Sequence, residues 1–392
     1  MTSDLVFSMA PENMTPEDQL CLLLARGQLS PEVRARTLEM LATPVQWPLI
    51  LERANTHQVY PLLYRNLQDL GFHSVPEAVQ SELKGLFLAN ALRNQLLAEE
   101  LTRLLRLLGE AGIRVIPLKG VALALSLYGD TAARVCSDID ILVPPEDVVR
   151  TIDLLLEAGY RTDFDDPFFS GLELRHGRHY GLWREGRGTS LVVEVHWQLV
   201  QYSSKNDQAV ADLWTEARPQ TCFGVPSFSF SSEWEPLYLS VHAADHEWEM
   251  LRWLVDIHQL ASGGAIDWQR TVAKADQFEL GLLTRQTLAV CTLLLGTLLP
   301  AGMAPAQLPR GVRIFPQPPV PKETQEAAFA FGHLRVLTRR LDKLRYVASI
   351  VFVPKLTDRD FVRLPASLAF LYYFIRPVRL VYKWVRRTLT PG

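Results

Sequence analysis

Several common signals are missing from this chain of 392 residues. Its four cysteines, Cys21, Cys136, Cys222 and Cys291, form neither a CxxC metal motif nor a disulfide framework, so we expect reduced thiols. The N-terminus lacks the basic start and apolar run of a signal peptide. No uncharged apolar stretch reaches the roughly 18–20 residues that a membrane-spanning helix needs. These absences predict a cytoplasmic protein.

The charge balance gives no indication of a long nucleic-acid partner. The chain has 40 basic and 43 acidic residues, a formal net charge of −3, and therefore no overall basic excess. About half of the residues are hydrophobic, which is enough for a sizeable core, and the length predicts two or three structural units.

Changes in hydrophobic periodicity divide the chain into five predicted regions. Thr15-Pro16, Ser30-Pro31 and Thr43-Pro44 are helix-start signals, and a leucine-rich helix is predicted from Ser81 to Leu108. The first ten or so residues have no pattern of their own. The predicted regions are an N-terminal helical region (1–111), an α/β core (112–230), a helical region (231–299), a proline-rich linker (300–322) and C-terminal helices with a basic tail (323–392).

Short β-branched runs predict the strands of the core at 113–118, 139–143 and 191–199, with a further candidate at 223–230. Asp138 and Asp140 share one face at the start of the second run. Two adjacent carboxylates repel each other, and a hard divalent cation such as Mg²⁺ would remove that cost. The D-x-D pattern is also common in solvated surface strands, so these two residues alone do not decide the question.

Neighbouring residues favour the metal-binding interpretation. Lys119-Gly120 follows the first predicted strand, where a glycine lets backbone amides approach phosphate and a lysine adds positive charge. Arg134 and Ser137 precede the two aspartates. Glu194 and His196 share a face of the third strand, so Glu194 is a candidate third carboxylate. Three acids can hold two metal ions about 4 Å apart, an arrangement suited to in-line phosphoryl or nucleotidyl transfer.

These motifs resemble the uncharacterised nucleotidyltransferase family of the DNA polymerase β superfamily. The resemblance rests on Leu118-Lys119-Gly120, Tyr128, Arg134, Ser137-Asp138-Ile139-Asp140 with the strand that follows, and Glu194-Val195-His196-Trp197. Upstream it extends over Trp47, Ala54, His57, Val59, Pro61-Leu62-Leu63-Tyr64 and Leu67, and downstream over His242, His246, Trp248, Leu251, Trp253, Asp256 and the segment from Tyr372 to Leu380. The arrangement of Lys119-Gly120 and the two aspartates is also similar to nucleotidyltransferase toxins of type IV toxin–antitoxin systems.

The resemblance implies an α+β fold in which a small mixed-sheet, polymerase β-like core is embedded in N- and C-terminal helical regions. It also implies a Mg²⁺-dependent enzyme that transfers a nucleoside monophosphate from an NTP to a hydroxyl and releases pyrophosphate. The implied metal ligands and catalytic residues are Asp138, Asp140 and Glu194, which would hold two Mg²⁺ ions or accept Mn²⁺. The implied nucleotide-binding residues are Lys119, Gly120, Arg134, Ser137, His196, His242 and His246.

The sequence departs from the superfamily pattern at two positions. The usual Gly-Ser turn lies nearer the D-x-D motif than Gly120 lies to Asp138, and Lys119-Gly120 replaces it here. The third acid of the superfamily is more often an aspartate, whereas this chain has Glu194.

His242 and His246 lie one helical turn apart, but a third zinc ligand at metal-site spacing is missing and the sequence is not H-E-x-x-H. They are therefore predicted either to pack in the core or to line the nucleotide pocket. Asp256 is expected to orient a histidine or to cap a neighbouring group.

The C-terminal segment predicts a basic amphipathic helix that begins at Pro365 and is kinked or interrupted at Pro377. The basic residues along one side of this helix are Arg376, Arg379, Lys383, Arg386 and Arg387. Such a helix would contact an anionic membrane surface weakly or bind RNA, or it would dock on its own protein, which we favour.

The predicted partners are an NTP and an acceptor that the sequence does not identify. A protein hydroxyl, an RNA end, a modified peptide and a small molecule such as an aminoglycoside or sugar phosphate all remain open. The alternative function is a catalytically inactive nucleotidyltransferase fold that binds nucleotide or a partner, or an accessory protein at the membrane surface.

Overall fold

The structure, a computed structural model, describes residues 14–186, 188–298, 307, 314–319 and 322–389. The unpatterned N-terminal residues and most of the predicted proline-rich linker lie outside these residues. Within them, no helix combines the length and the apolarity needed to cross a membrane.

The N-terminal region is helical, as predicted. Its helices are α1 (Pro16–Leu24), α2 (Pro31–Leu41), α3 (Trp47–Thr56), α4 (Tyr60–Asp69) and α5 (Glu77–Glu110). Thr15 caps α1 through a reciprocal pair of hydrogen bonds with Asp18, and the Ser30 hydroxyl accepts from Val33 N at the start of α2. The start predicted at Thr43-Pro44 is wrong, because α3 begins at Trp47 with Pro48 in its first turn.

The central region carries the sheet, and the predicted α+β fold is confirmed. The strands are β1 (Ile116–Pro117), β2 (Ile139–Leu142), β3 (His179–Gly186), β4 (Thr189–His196), β5 (Arg218–Cys222) and β6 (Val225–Ser229). The order is β1-β2-β4-β3, with β2 and β4 parallel and the two outer pairings antiparallel, so the sheet is mixed. β5 and β6 form a separate hairpin. The helices between the strands are α6 (Gly120–Tyr128), α7 (Val148–Glu157), α8 (Pro167–His176) and α9 (Asn206–Glu216).

Strand boundaries are where the sequence prediction was least accurate. The run 113–118 pairs with β2 only at Ile116 and Pro117, and proline has no N–H to extend the ladder. The run 191–199 ends its pairing at His196 because the N–H groups of the residues at 199 and 200 donate to the Asn206 side chain. β3 was not predicted, since Gly181 and the charged pair 184–185 interrupt its apolar pattern.

The C-terminal half returns to helices. They are α10 (Trp234–Asp245), α11 (Leu251–Ser262), α12 (Trp268–Gln277), α13 (Gly281–Leu295), α14 (Lys322–Val336), α15 (Arg340–Phe352), α16 (Leu356–Phe361) and α17 (Tyr372–Leu389). One buried cluster runs from Leu20 in α1 through Leu237 in α10 to Tyr346 in α15. The first and last helical regions therefore share a core, and the five predicted region boundaries stay a prediction.

Two predictions about the C-terminal segments need correction. Pro365 is followed by a 3₁₀ turn, Ala366–Leu371, and α17 continues through Pro377 without a break. The predicted linker contains at least one buried residue, Phe315, which packs against the His57 ring with the ring centroids 4.9 Å apart.

The C-terminal helix turns part of its basic side inward. Arg376 donates to the buried Asp358 carboxylate at 3.1 Å, and Arg379 pairs with the same carboxylate. These two arginines support the docked arrangement that we favoured. The opposite face leaves Phe374, Val378 and Val381 exposed. Contact of this helix with a membrane stays a prediction.

Side chains of α5 hold the loop that leads into β2. Asn90 and Asn94 both donate to the carbonyl of Arg134, and each donates to one further loop carbonyl, at 2.6–3.1 Å. Arg93 donates to the carbonyls of Cys136 and Ser137. Because the two asparagines are buried, these hydrogen bonds fix the loop immediately before Asp138.

Replacement of Asn94 by Leu removes two donors while keeping the side-chain volume. We expect the free energy of unfolding to fall by about 1–3 kcal/mol, since buried carbonyls lose their partners. Chemical denaturation would measure the loss. Gln95→Ala, on the exposed face of the same helix, is the control and should change the stability by less than about 0.5 kcal/mol. Equal stability of the two variants would contradict this role for Asn94.

Candidate nucleotidyltransferase site

One cavity of about 440 Å³ is lined by every residue that the sequence nominated for a site. The nominated residues in its wall are Lys119, Gly120, Arg134, Ser137, Asp138, Asp140, Glu194, His196, His242 and His246. They come from four separate parts of the chain, so their convergence follows from the fold and not from closeness in sequence.

The register of the parallel pair β2 and β4 brings the acids together. Asp140 lies directly beside Glu194 across the two strands. The Asp140 Oδ1 atom lies 3.2 Å from Lys119 Nζ and 3.1 Å from His196 Nε2. The same His196 nitrogen lies 3.2 Å from Glu194 Oε2. Acidic and basic groups therefore alternate across the floor of the cavity.

The two aspartates of the D-x-D motif have opposite electrostatic environments. Burial alone would raise the pKa of Asp140, but Lys119 and His196 outweigh it and hold the pKa well below its usual range. The pKa of Asp138 is raised, first by burial and then by the negative charge of Asp140. Glu194 is partly buried, which would raise its pKa, yet hydrogen bonding from His196 and the electrostatic interaction with His179 lower it. The floor thus carries negative charge that Lys119 compensates only in part.

Gly120 is required by a close approach of two chain segments. Its φ angle is +61°, and a Cβ atom there would lie 3.3 Å from the carbonyl oxygen of Asp138. The adjacent Leu118 N–H donates to the Asp140 carbonyl at 3.0 Å. This glycine therefore places the N-terminus of α6 and the Lys119 side chain against the start of β2.

His242 and His246 belong to an aromatic wall of the cavity. Their ring centroids lie 5.0 and 4.8 Å from that of Trp253, and His246 also contacts Phe329 at 5.4 Å. Burial lowers the pKa of both histidines, that of His246 to about 4, so the rings are uncharged at neutral pH. An uncharged aromatic wall can stack on a nucleobase.

Arg134 is a fully paired residue at the edge of the cavity. Its Nε donates to Asp256 Oδ2 at 2.9 Å, and the other Asp256 oxygen accepts from the Tyr128 hydroxyl at 2.9 Å. The expectation that Asp256 orients a histidine is wrong, because its two carboxylate oxygens accept hydrogen bonds from Arg134 and Tyr128. Arg134 is buried in this ion pair, so its geometry is that of a residue that shapes the wall.

The family model described as uncharacterised nucleotidyltransferase matches residues 43–296, more than half of the chain. The chain belongs to this nucleotidyltransferase family. Its sheet and all of its nominated site residues lie inside the matched range. No curated protein matches the chain.

Three further residues of the nucleotidyltransferase site were not found by sequence reasoning. Arg178 and His179 lie at the start of β3, which was itself not predicted, and Arg252 lies between Leu251 and Trp253 in α11. Desolvation of the Arg252 guanidinium and the charge of Arg134 lower the pKa of Arg252 to about 10, and its Nε has no hydrogen-bond partner among the described residues. The only sequence signal for Arg252 was a basic residue inside an otherwise apolar helical pattern.

A buried carboxylate connects the nucleotidyltransferase site to the C-terminal helices. Asp245, at the end of α10, pairs with Arg178, and its Oδ1 lies 3.0 Å from His333 Nδ1 in α14. The other His333 nitrogen lies 2.7 Å from the carbonyl oxygen of Gln201. Burial would raise the pKa of Asp245, but His333 and Arg178 lower it to about 2. The position of Arg178 therefore depends on α14.

Asp138→Asn tests whether the Asp138 carboxylate destabilises the metal-free protein. A carboxyl group whose pKa is raised by folding binds its proton more tightly in the native state than in the unfolded state. The free energy of unfolding therefore falls as the pH rises above the pKa that this group has in the unfolded chain. In EDTA at pH 7 we therefore expect a higher Tm for Asp138→Asn than for the wild type, with a smaller difference at pH 4. Differential scanning calorimetry would measure both.

Asp153→Asn, an exposed carboxylate on α7, is the matched control and should leave the Tm unchanged at both pH values. A lower Tm for Asp138→Asn in EDTA would show that the Asp138 carboxylate stabilises the metal-free protein, contrary to this account.

Proposed function

We propose that this protein is a Mg²⁺-dependent enzyme that transfers a nucleoside monophosphate from an NTP to an acceptor hydroxyl and releases pyrophosphate. The observation that carries the proposal is the meeting of Asp138, Asp140 and Glu194 in one cavity that also contains the cations of Lys119 and Arg252. Carboxylates suit metal ions and cations suit phosphates, so the cavity matches the two ends of a metal–triphosphate complex.

The residues present fit a divalent cation. Asp138 has a raised pKa that a nearby positive charge would lower, and the contacts of the Asp140 carboxylate with Lys119 and His196 both fall on Oδ1, which leaves Oδ2 for a ligand. Asp138, Asp140 and Glu194 are the residues that would hold Mg²⁺, with Mn²⁺ as a substitute. When bound, such ions stabilise the charge on the transferring phosphate and on the leaving pyrophosphate.

The other side chains bind and orient the nucleotide. Lys119, at the N-terminus of α6, would exchange its contact with Asp140 for the triphosphate, and the guanidinium of Arg252, in the wall of the same cavity, would add a second positive charge. The neutral rings of His242 and His246 would pack against the base.

Transfer then requires one bond to form and one to break. The acceptor oxygen bonds to the α-phosphorus, the bond from that phosphorus to the bridging oxygen breaks, and pyrophosphate leaves with the electron pair. Glu194 is ionised and lies on the cavity floor, so it is placed to take the acceptor proton. His196, which contacts both Asp140 and Glu194, would hold these two acids in position.

Asp140→Asn tests the proposed chemistry. Pyrophosphate release from NTP and Mg²⁺ should fall by at least about 1,000-fold, because the variant loses a charged metal ligand. A coupled pyrophosphate assay in a lysate of the native host would measure it. Asp153→Asn should retain full activity. Wild-type-like activity of Asp140→Asn would rule out the assignment, and NTP binding without any turnover by the wild type would favour the inactive alternative.

A second cavity of about 950 Å³ adjoins the catalytic one and is the proposed acceptor site. The two share a wall made by Arg178, His179, His246 and Phe329. The far side is formed by α8, α15 and α17, with mostly aromatic and aliphatic lining. A volume near the upper end of the range for small-molecule sites favours a compact acceptor, such as a small molecule or a peptide segment, over a long nucleic acid.

Ser349→Trp would fill this second cavity, since Ser349 lines it from α15. We expect label transfer from an α-labelled NTP in the host lysate to fall at least about tenfold, while NTP affinity measured by calorimetry stays within about twofold. Ala348→Trp, an exposed neighbour on the same helix, is the matched control. Unchanged labelling by Ser349→Trp would exclude this cavity as the acceptor site.

A further inference from the structure

Two histidines stand beside the third carboxylate of the site. His179 opens β3 and lies directly opposite His196 at the end of β4, and their ring centroids are 4.9 Å apart. Glu194 lies two residues before His196 on the same face of β4. One atom from each of these three side chains falls within 4.8 Å of the other two. We call His179, Glu194 and His196 the histidine cluster.

The spacing of the histidine cluster suits a bound ion. His179 Nε2 lies 3.8 Å from Glu194 Oε1, and His196 Nε2 lies 3.2 Å from Glu194 Oε2. Two ligand atoms that are each about 2.1 Å from a metal ion can be at most about 4.2 Å apart. Both distances satisfy this limit, and one ligand atom from each of the three side chains lies within 4.8 Å of the other two, so side-chain movements of less than about 1 Å would let all three bind one ion.

His179 has unsatisfied nitrogens on both sides of its ring. Nδ1 is buried without a hydrogen-bond partner among the residues that the structure describes. Nε2 is nearest to Glu194 at 3.8 Å, which is beyond hydrogen-bond distance. An ion bound beside Glu194 would give His179 Nε2 the partner that it lacks among the described residues.

Nitrogen ligands change the metal that the site prefers. Mg²⁺ takes oxygen ligands almost exclusively, whereas imidazole suits first-row transition metals such as Mn²⁺, Fe²⁺ and Zn²⁺. Asp138 and Asp140 offer only oxygen, but the histidine cluster offers two imidazoles and one carboxylate. The two ends of the acidic floor therefore differ in their ligand chemistry.

We propose that His179, Glu194 and His196 form a site for a transition-metal ion, with Mn²⁺ bound in preference to Mg²⁺, which shares Glu194 with the oxygen-only site at Asp138 and Asp140. The proposal deepens the proposed function and rests on it for the role of the ion, although not for the binding itself. It makes His179 a metal ligand, and it makes the metal centre asymmetric.

Metal binding by the purified full-length protein tests the histidine cluster without reference to activity. Isothermal titration calorimetry with MnCl₂ alone should show tighter binding than with MgCl₂ alone. His179→Ala should weaken Mn²⁺ binding at least about tenfold and change Mg²⁺ binding by less than about threefold. Pulsed electron paramagnetic resonance of the bound Mn²⁺ should show ¹⁴N coupling in the wild type that is reduced in His179→Ala.

His246→Ala is the matched control, because His246 is another neutral histidine of the same cavity that lies outside the cluster. It should leave Mn²⁺ affinity and the ¹⁴N signal unchanged. His179→Gln, which keeps the size of the side chain, guards against misfolding of the alanine variant and should show the same loss. Unchanged Mn²⁺ affinity in both His179 variants, or an equal loss of Mg²⁺ affinity, would overturn the proposal.

The two proposals fail in different ways. If Asp140→Asn retains full pyrophosphate release while His179→Ala loses Mn²⁺, the catalytic assignment is wrong and the histidine cluster stands. If Asp140→Asn is inactive while no His179 variant alters Mn²⁺ binding or the ¹⁴N signal, the catalytic assignment stands and the transition-metal site is wrong.

Discussion

The parallel pairing of β2 with β4 is the constraint on which the site depends. A shift of one residue in this register would turn Glu194 to the other face of the sheet and separate it from Asp140. The pairing also concentrates negative charge, which the fold offsets with Lys119 on one side and His196 on the other. Much of the surrounding structure serves to hold these opposing charges in place.

The supporting structure comes from helices far away in sequence. α5 fixes the loop before Asp138 through Asn90 and Asn94, and Gly120 allows α6 to approach the same strand. α10 and α11 supply the aromatic wall and Arg252. A small sheet with few residues of its own thus obtains a rigid site from the helical regions on both sides of it.

Local motifs in the sequence identified residues that line the cavity, but they did not predict the contacts between those residues. The alternation of Asp138 with Asp140, the Lys119-Gly120 turn and the Glu194 strand could be found because each depends on residues close together in the chain. Likewise, Thr15 and Ser30 were recognised as caps because capping involves only a few neighbouring residues.

Features that depend on contacts between distant segments could not be predicted. β3 has a weak apolar pattern and becomes a strand because β4 provides a partner for it, so His179 and Arg178 were missed with it. The partner of Asp256 lies 122 residues away in Arg134, and nothing near Asp256 indicates an arginine. The Arg376 side chain likewise points into the protein because it donates to Asp358, which belongs to a different helix.

The contacts of Asp245 with Arg178 and His333 bear on how the proposed enzyme would select its acceptor. The family match ends at residue 296, whereas His333 and the parts of the second cavity that α15 and α17 form lie beyond it. In the proposed function, the residues that would carry out transfer and part of the residues that would enclose the acceptor are therefore encoded in separate stretches of the chain, and the buried carboxylate of Asp245 links the two. Such an arrangement lets the acceptor change through substitutions in the C-terminal helices while the reaction itself is preserved.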